Sequence, residues 1–189
     1  ITAAQLLLSV RADLSERRAT DVDAAFEEYR QAQFFNSDRA EGLFNWGSSL
    51  AQLGRTQEAE EFFRRAIERE PVFVASYINL ADLYRSTGSE EDAHELLVQA
   101  IANNPQDPAA HFALGLSLVR AGESENAFSA LQNAADLAPN APYYQYVIGI
   151  ALNSNGERDR AVEALQSVHE RFPGHRETVL ALATIHRDG

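Results

Sequence analysis

One spacing constrains this chain more than any other feature. Glycines stand at Gly54, Gly88, Gly122 and Gly156, each 34 residues after the one before. Pro71, Pro105, Pro139 and Pro173 keep the same step of 34. So do Ala59, Ala93, Ala127 and Ala161, and the large apolar residues Phe63, Leu97, Leu131 and Leu165. Four residue types held in one register mean that a single supersecondary unit is repeated, and that the chain buries its core by stacking copies of it.

The residues between the markers define the unit. The large apolar residue follows the alanine by four, which places both on one helix face. Alanine is small enough for a partner helix to come close. Proline has no N–H to continue a helix, so each one marks its end. Each glycine ends the preceding helix, where a left-handed backbone is needed. That preceding helix has its own stripe at i, i+3, i+4 and i+7. Leu43, Tyr77 and His111 open it, and Trp46, Leu80, Leu114 and Ile148 follow. Gly47, Ala81, Gly115 and Gly149 stand where helices cross, and Leu50, Tyr84, Leu118 and Leu152 close it. The expectation is all-α: helix, tight turn, helix, break, with about eleven helices and no strands.

Period and pattern together resemble the tetratricopeptide repeat family, over residues 39–172. The resemblance implies an α-α superhelical solenoid built from helix-turn-helix repeats at 38–71, 72–105, 106–139 and 140–173. His111 and Gln145 depart from it where a bulky apolar residue is usual, and Val168 replaces the small residue seen at Ala66, Ala100 and Ala134. Residues 1–37 read as a degenerate repeat, with Ala25, Tyr29 and Ala32 on its second helix. Its first helix starts at a Thr2/Gln5 capping box and turns Leu7, Val10 and Leu14 inward. Residues 174–189 read as a capping or truncated helix, with Val179, Leu182, Ala183 and His186 repeating the first-helix pattern. Asp38, Thr56, Ser89 and Asp107 are candidate N-caps. Pro108 and Pro142 suit first helical positions.

Composition narrows function. Asp and Glu number 28 against 16 basic residues, giving a net charge of −12, so nucleic acid and anionic membranes are poor partners. Every basic residue is Arg; without Lys there is no P-loop and no Schiff base. Without Cys there is no disulfide, iron–sulfur cluster or thiol nucleophile. No apolar run is long enough to cross a bilayer, and residues 3–10 lack the basic leader of a signal peptide. The start at Ile1 and the absence of Met read as a piece of a longer or processed protein.

No catalytic constellation stands out. His94, His111, His169, His175 and His186 include no i, i+4 pair and no HExxH. The serines, Ser48 and Ser49 among them, lack a nucleophile-elbow context. Glu90, Glu91 and Asp92 open a helix, where acids favour the dipole. No cofactor or metal site is expected, and the chain reads as no enzyme.

What remains is a surface. The resemblance implies that first helices line a concave groove. Helical phase then assigns to it Phe44, Asn45 and Ser48; Ile78, Asn79, Asp82 and Arg85; Phe112, Leu116 and Val119; and Tyr143, Tyr146, Val147, Ile150 and Asn153. The first two sets are mainly polar, the last two apolar and aromatic. Leu116, Val119 and Ile150 could equally pack between repeats. Some relatives hold a peptide's carboxylates with Lys and Asn; here Phe44, Ile78 and Phe112 occupy those places, so that mode is not expected. Asn45 and Asn79, 34 apart, suit a peptide backbone. Six half-buried apolar side chains would contribute about 5–9 kcal/mol against an association cost of roughly 4–15 kcal/mol. Tight binding therefore needs the polar set as well.

The expected function is a non-enzymatic protein-interaction scaffold taking an apolar peptide or amphipathic helix. The alternative is an architectural module of a larger protein, serving assembly or self-association through the groove or the terminal helices. Residues 74–85 and 182–189 loosely resemble the repeat region of bacterial secreted multihaem c-type cytochrome proteins. That likeness implies a periplasmic accessory domain with no haem of its own.

Overall fold

The computed structural model describes residues 39–187, together with Ala24 and Glu28. The readings for residues 1–37, and Asp38 as a cap, lie outside the described residues. Among those described there are nine α-helices and no strand: α1 (Ala40–Gln52), α2 (Thr56–Arg69), α3 (Val74–Ser86), α4 (Glu90–Asn103), α5 (Pro108–Ala121), α6 (Ser124–Leu137), α7 (Pro142–Ser154), α8 (Arg158–Arg171) and α9 (Arg176–Arg187). The chain divides into two compact units, at residues 1–103 and 104–189.

Glycine and proline punctuate the helices as the sequence requires. Gly54, Gly88, Gly122 and Gly156 have φ of 73°, 86°, 77° and 82°, the left-handed region that a Cβ disfavours. The even-numbered helices α2 to α8 end at Arg69, Asn103, Leu137 and Arg171, each two residues before its periodic proline. Pro108 and Pro142 open α5 and α7. Asp107 caps α5, its side chain accepting from the N–H groups of Ala109 at 2.8 Å and Ala110 at 3.4 Å. Thr56 is not a cap. It is the first residue of α2, and the cap position falls on Arg55, whose guanidinium pairs with Glu58 at 2.5 Å. This ion pair spans the first turn at the surface, and no side chain accepts from the cap N–H groups of α2.

In the first unit α1 packs on α2, α3 on α4, and α2 also meets α3. The inward stripe is buried: Leu43, Trp46 and Leu50 on α1, Tyr77, Leu80 and Ala81 on α3, against Ala59, Phe63, Ala93 and Leu97. In the second unit α5 pairs with α6 and α7 with α8. Its core gathers Leu131, Ala135, Ile148, Leu152, Ala161, Leu165 and Ile185. Val168 is 1% exposed, so the larger side chain at this small-residue position is accommodated.

Helix α9 carries the first-helix register. Its stripe residues Val179, Leu182, Ala183 and His186 are not buried. Val179 and Ala183 are exposed, His186 is exposed and Leu182 is half-buried. The buried residues of α9 are Thr178 and Ile185. In the preceding repeats the first-helix stripe is covered by the second helix of the same repeat. Helix α9 instead packs through its other side on α8 and α7.

Candidate functional site

In the first unit the phase-assigned residues lie along α1 and α3. Asn79 donates its side-chain amide to the Ser48 hydroxyl at 3.1 Å, joining the two helices. Ser48, Asn79 and Asp82, with Ala51, Gln52, Phe63, Leu83 and Ser86, line a cavity of about 300 Å³. Asp82 is held by Arg85 at 2.9 Å, so these two charges satisfy each other at the surface. Asn45 is exposed. Ile78 is half-buried. Phe44 packs where the first two repeats meet, with ring centroids 6.0 Å from Phe63 and 5.4 Å from Phe73, and rests on the cluster of Ala40, Leu43 and Ala66.

In the second unit the aromatic residues form a connected run. Phe112 lies 5.5 Å from Tyr143 and 5.1 Å from Tyr144, Tyr143 lies 6.4 Å from Tyr146, and Tyr146 lies 5.4 Å from His175, all between ring centroids. Phe112 and Tyr146 therefore share one side. Burial, with the charges of Asp107 and Tyr143 behind it, raises the Tyr144 hydroxyl above its ordinary pKa of 10.0, so it stays a neutral hydrogen-bonding group. Phe112, Leu116, Tyr146 and Val147 are half-buried and rest on the unit's core. Val119 and Tyr143 are exposed, at 39% and 53%. Tyr146, Ile150 and Asn153 line a second cavity, of about 340 Å³, with Glu177, Leu180, Ala181, Thr184 and Ile185 of α9.

The two cavities occupy one register of the repeat. Ser48, Ala51, Asn79 and Asp82 in the first correspond, three periods on, to Ile150, Asn153, Ala181 and Thr184 in the second. The same backbone arrangement thus presents hydroxyl, amide and carboxylate in one unit and mostly hydrocarbon in the other. The α9 lining was missed in the sequence, although its signal was present. Glu177, Leu180, Ala181 and Thr184 are one period beyond Tyr143, Tyr146, Val147 and Ile150.

Among the described residues no group of three His, Cys, Asp or Glu side chains could hold a metal, and no helix is long and apolar enough to cross a membrane. His111 contacts the Pro105 carbonyl at 2.9 Å, and His175 contacts the Thr178 hydroxyl at 2.7 Å and Glu177 at 3.5 Å. His111 thus reaches back from α5 to the preceding loop, and His175 meets the first turn of α9.

Three tetratricopeptide repeat models match the chain, over residues 50–116, 14–72 and 143–175. No curated protein sequence matches it. Among solved structures, a thermophilic tetratricopeptide protein of Thermus thermophilus is similar at 23% identity and TM-score 0.69, over 97% of this chain and 98% of that one. MamA from Desulfovibrio magneticus is similar at 22% identity and TM-score 0.63, over 91% of this chain and 96% of that one. YrrB, described as having an unusual peptide-binding site, is similar at 21% identity and TM-score 0.59, over 84% of this chain and 82% of that one. None of the proteins named here is a cytochrome, so the looser likeness to multihaem proteins gains no support.

Proposed function

The chain belongs to the tetratricopeptide repeat family, and on that premise we propose that it is a non-enzymatic scaffold binding protein segments along its first helices. The observation that carries this reading is the pair of register-equivalent cavities, Ser48/Asn79/Asp82 in one unit and Tyr146/Ile150/Thr184 in the other. Their chemistry asks for a polar, backbone-like ligand in the first unit and an apolar or amphipathic segment in the second. The peptide site announced for YrrB is in keeping with this. Leu116, Val147 and Ile150 are half-buried, so a ligand that covers them removes further apolar surface from water.

The test is selection of peptides from a displayed random library, followed by calorimetric titration of the strongest binders. Asn79→Ala/Tyr146→Ala is expected to weaken them by at least tenfold. Unchanged affinity in that variant would remove the first-helix faces as the site.

A second reading, assembly or self-association through α9, is favoured by its apolar side chains Val179 and Leu180, 43% and 65% exposed. Sedimentation should then show self-association that Val179→Glu/Leu180→Glu abolishes. A monomer at all concentrations sets this reading aside.

A further inference from the structure

The second unit has a larger cavity than the one on its first-helix faces. It measures about 740 Å³ and lies at the intrarepeat turns, between the end of α5, the start of α6, the end of α7 and the start of α8. Phe128, Leu152, Val119 and Ala151 supply its apolar wall. Ser124, Asn155, Glu157 and Arg160 form a polar edge in which each group is oriented by the next. Ser124 donates to the Asn155 side-chain oxygen at 2.8 Å, and the Asn155 amide donates to Glu157 at 2.8 Å. Arg160 closes the series on Glu157 and stacks 5.3 Å from the Phe128 ring.

The first unit shows what such a space takes. Two periods earlier, the places of Phe128 and Leu152 belong to Glu60 and Tyr84. There the Tyr84 phenol reaches across to donate to Glu60 at 2.6 Å and to accept from Arg64. In the second unit leucine stands at the tyrosine's place and no phenol spans the gap. The volume left falls within the range of ligand sites and holds a ring together with the short backbone carrying it. The edge offers acceptors: the Glu157 carboxylate, the Ser124 hydroxyl oxygen and the Glu125 carboxylate. With a net charge of −12 on the chain, anionic ligands are disfavoured.

We propose that this cavity is a binding site for a neutral phenolic ring, which lies against Phe128 and Leu152 and donates its hydroxyl to the acceptors of the edge. The site is separate from the first-helix cavities, with only Val119 shared between its lining and the phase-assigned residues. The ring has two sources, a free small phenol or the tyrosine of a partner protein.

The experiment is an NMR titration of the isotope-labelled chain with p-cresol and, separately, with N-acetyl-tyrosinamide. Saturable shifts at Ser124, Phe128, Leu152 and Asn155 are expected, and p-xylene, which lacks the hydroxyl, should bind at least threefold more weakly. Leu152→Tyr/Phe128→Glu installs the first unit's pair and should weaken p-cresol at least tenfold. Ser154→Trp, on the exposed last turn of α7, should block the mouth with the same result and leaves the core untouched. Binding of both probes points to a tyrosine-bearing partner, and binding of p-cresol alone to a free phenol. Absent or non-saturable shifts, equal binding of p-xylene, or undiminished binding in folded Ser154→Trp overturns the proposal.

Discussion

A Cβ placed on Gly149 would lie 2.6 Å from Leu165 Cγ, closer than real Cβ contacts come. The same relation recurs sixteen residues apart between Gly115 and Leu131 at 2.7 Å, and between Gly47 and the Phe63 ring at 2.9 Å. At the equivalent places in the second repeat stand Ala81 and Leu97, both buried. Each repeat thus solves one packing problem, the close crossing of its two helices, with its own pairing of small and large residues. Gly149→Ala is expected to lose about 1 kcal/mol, because overpacking of roughly 1–3 kcal/mol exceeds the helix-propensity gain of about 0.5–1 kcal/mol. Leu165→Val should restore part of that loss in the double variant. Urea denaturation of the two single variants and the double variant checks it, and additive losses would show that the two residues do not meet in this way.

A second expectation concerns Ser76 on α3. Its hydroxyl is buried, with no hydrogen-bond partner among the described residues. A buried polar group left unpaired costs about 1–3 kcal/mol, and alanine is the better helix former. Ser76→Ala should therefore raise stability by about 1 kcal/mol, read as a higher urea midpoint at unchanged slope. Ser49 is the control. Its hydroxyl donates to the Asn45 carbonyl at 3.0 Å, so the same change there should bring no such gain.

The cap of α5 sets a third. Asp107 satisfies two N–H groups that the helix itself cannot, and its charge faces the positive end of the dipole. Asp107→Ala should cost about 1 kcal/mol and Asp107→Asn much less. Hydrogen exchange at Ala109 and Ala110 should quicken in the alanine variant. Equal exchange in both proteins would mean that the side chain does not hold these groups.

These cases also mark what sequence reading reaches. The crossing glycines, the left-handed turns and the Asp107 cap depend on residues within one repeat, so a fixed period displays them directly. Other features depend on what lies beyond the repeat. Val179 belongs to the first-helix stripe by register, yet register alone does not say whether a neighbour covers it. Thr56 resembles a cap by residue type, but the helix begins one residue earlier, with the Ala59 N–H already donating to the Arg55 carbonyl at 3.0 Å. The α9 lining of the second cavity was open to the same arithmetic as the other positions, whereas the cavity beside Leu152 was not. It depends on which side chain bridges two neighbouring repeats, a property of pairs that no single register position records.

The pair that does bridge, Glu60 and Tyr84 with Arg64, fixes a pH dependence. The hydrogen bond from Tyr84 is the main influence holding the Glu60 carboxyl below its ordinary 4.5; burial opposes it, and Arg64 assists through its own hydrogen bond and charge. The folded state therefore binds this proton less readily than the unfolded chain. Its stabilisation is complete above about pH 4.5 and is lost as pH falls through the lower folded value. Tyr84 behaves oppositely. Burial first, and then its bond to Glu60, raise the phenol above 10.0, so its contribution is present below that pH and lost as pH rises through the folded value. The Glu60 and Arg64 side chains are 35% and 56% exposed, which keeps the whole effect within about 1 kcal/mol. Tyr84→Phe keeps the ring, over which the Arg64 guanidinium sits at 5.8 Å, and removes only the hydroxyl. Thermal melts across the pH range should show both flanks of the stability profile flattening in that variant, the acid flank through Glu60 and the alkaline flank through the absent phenol. If the acid flank keeps its full slope in Tyr84→Phe, the hydrogen bond from the phenol is not what lowers Glu60.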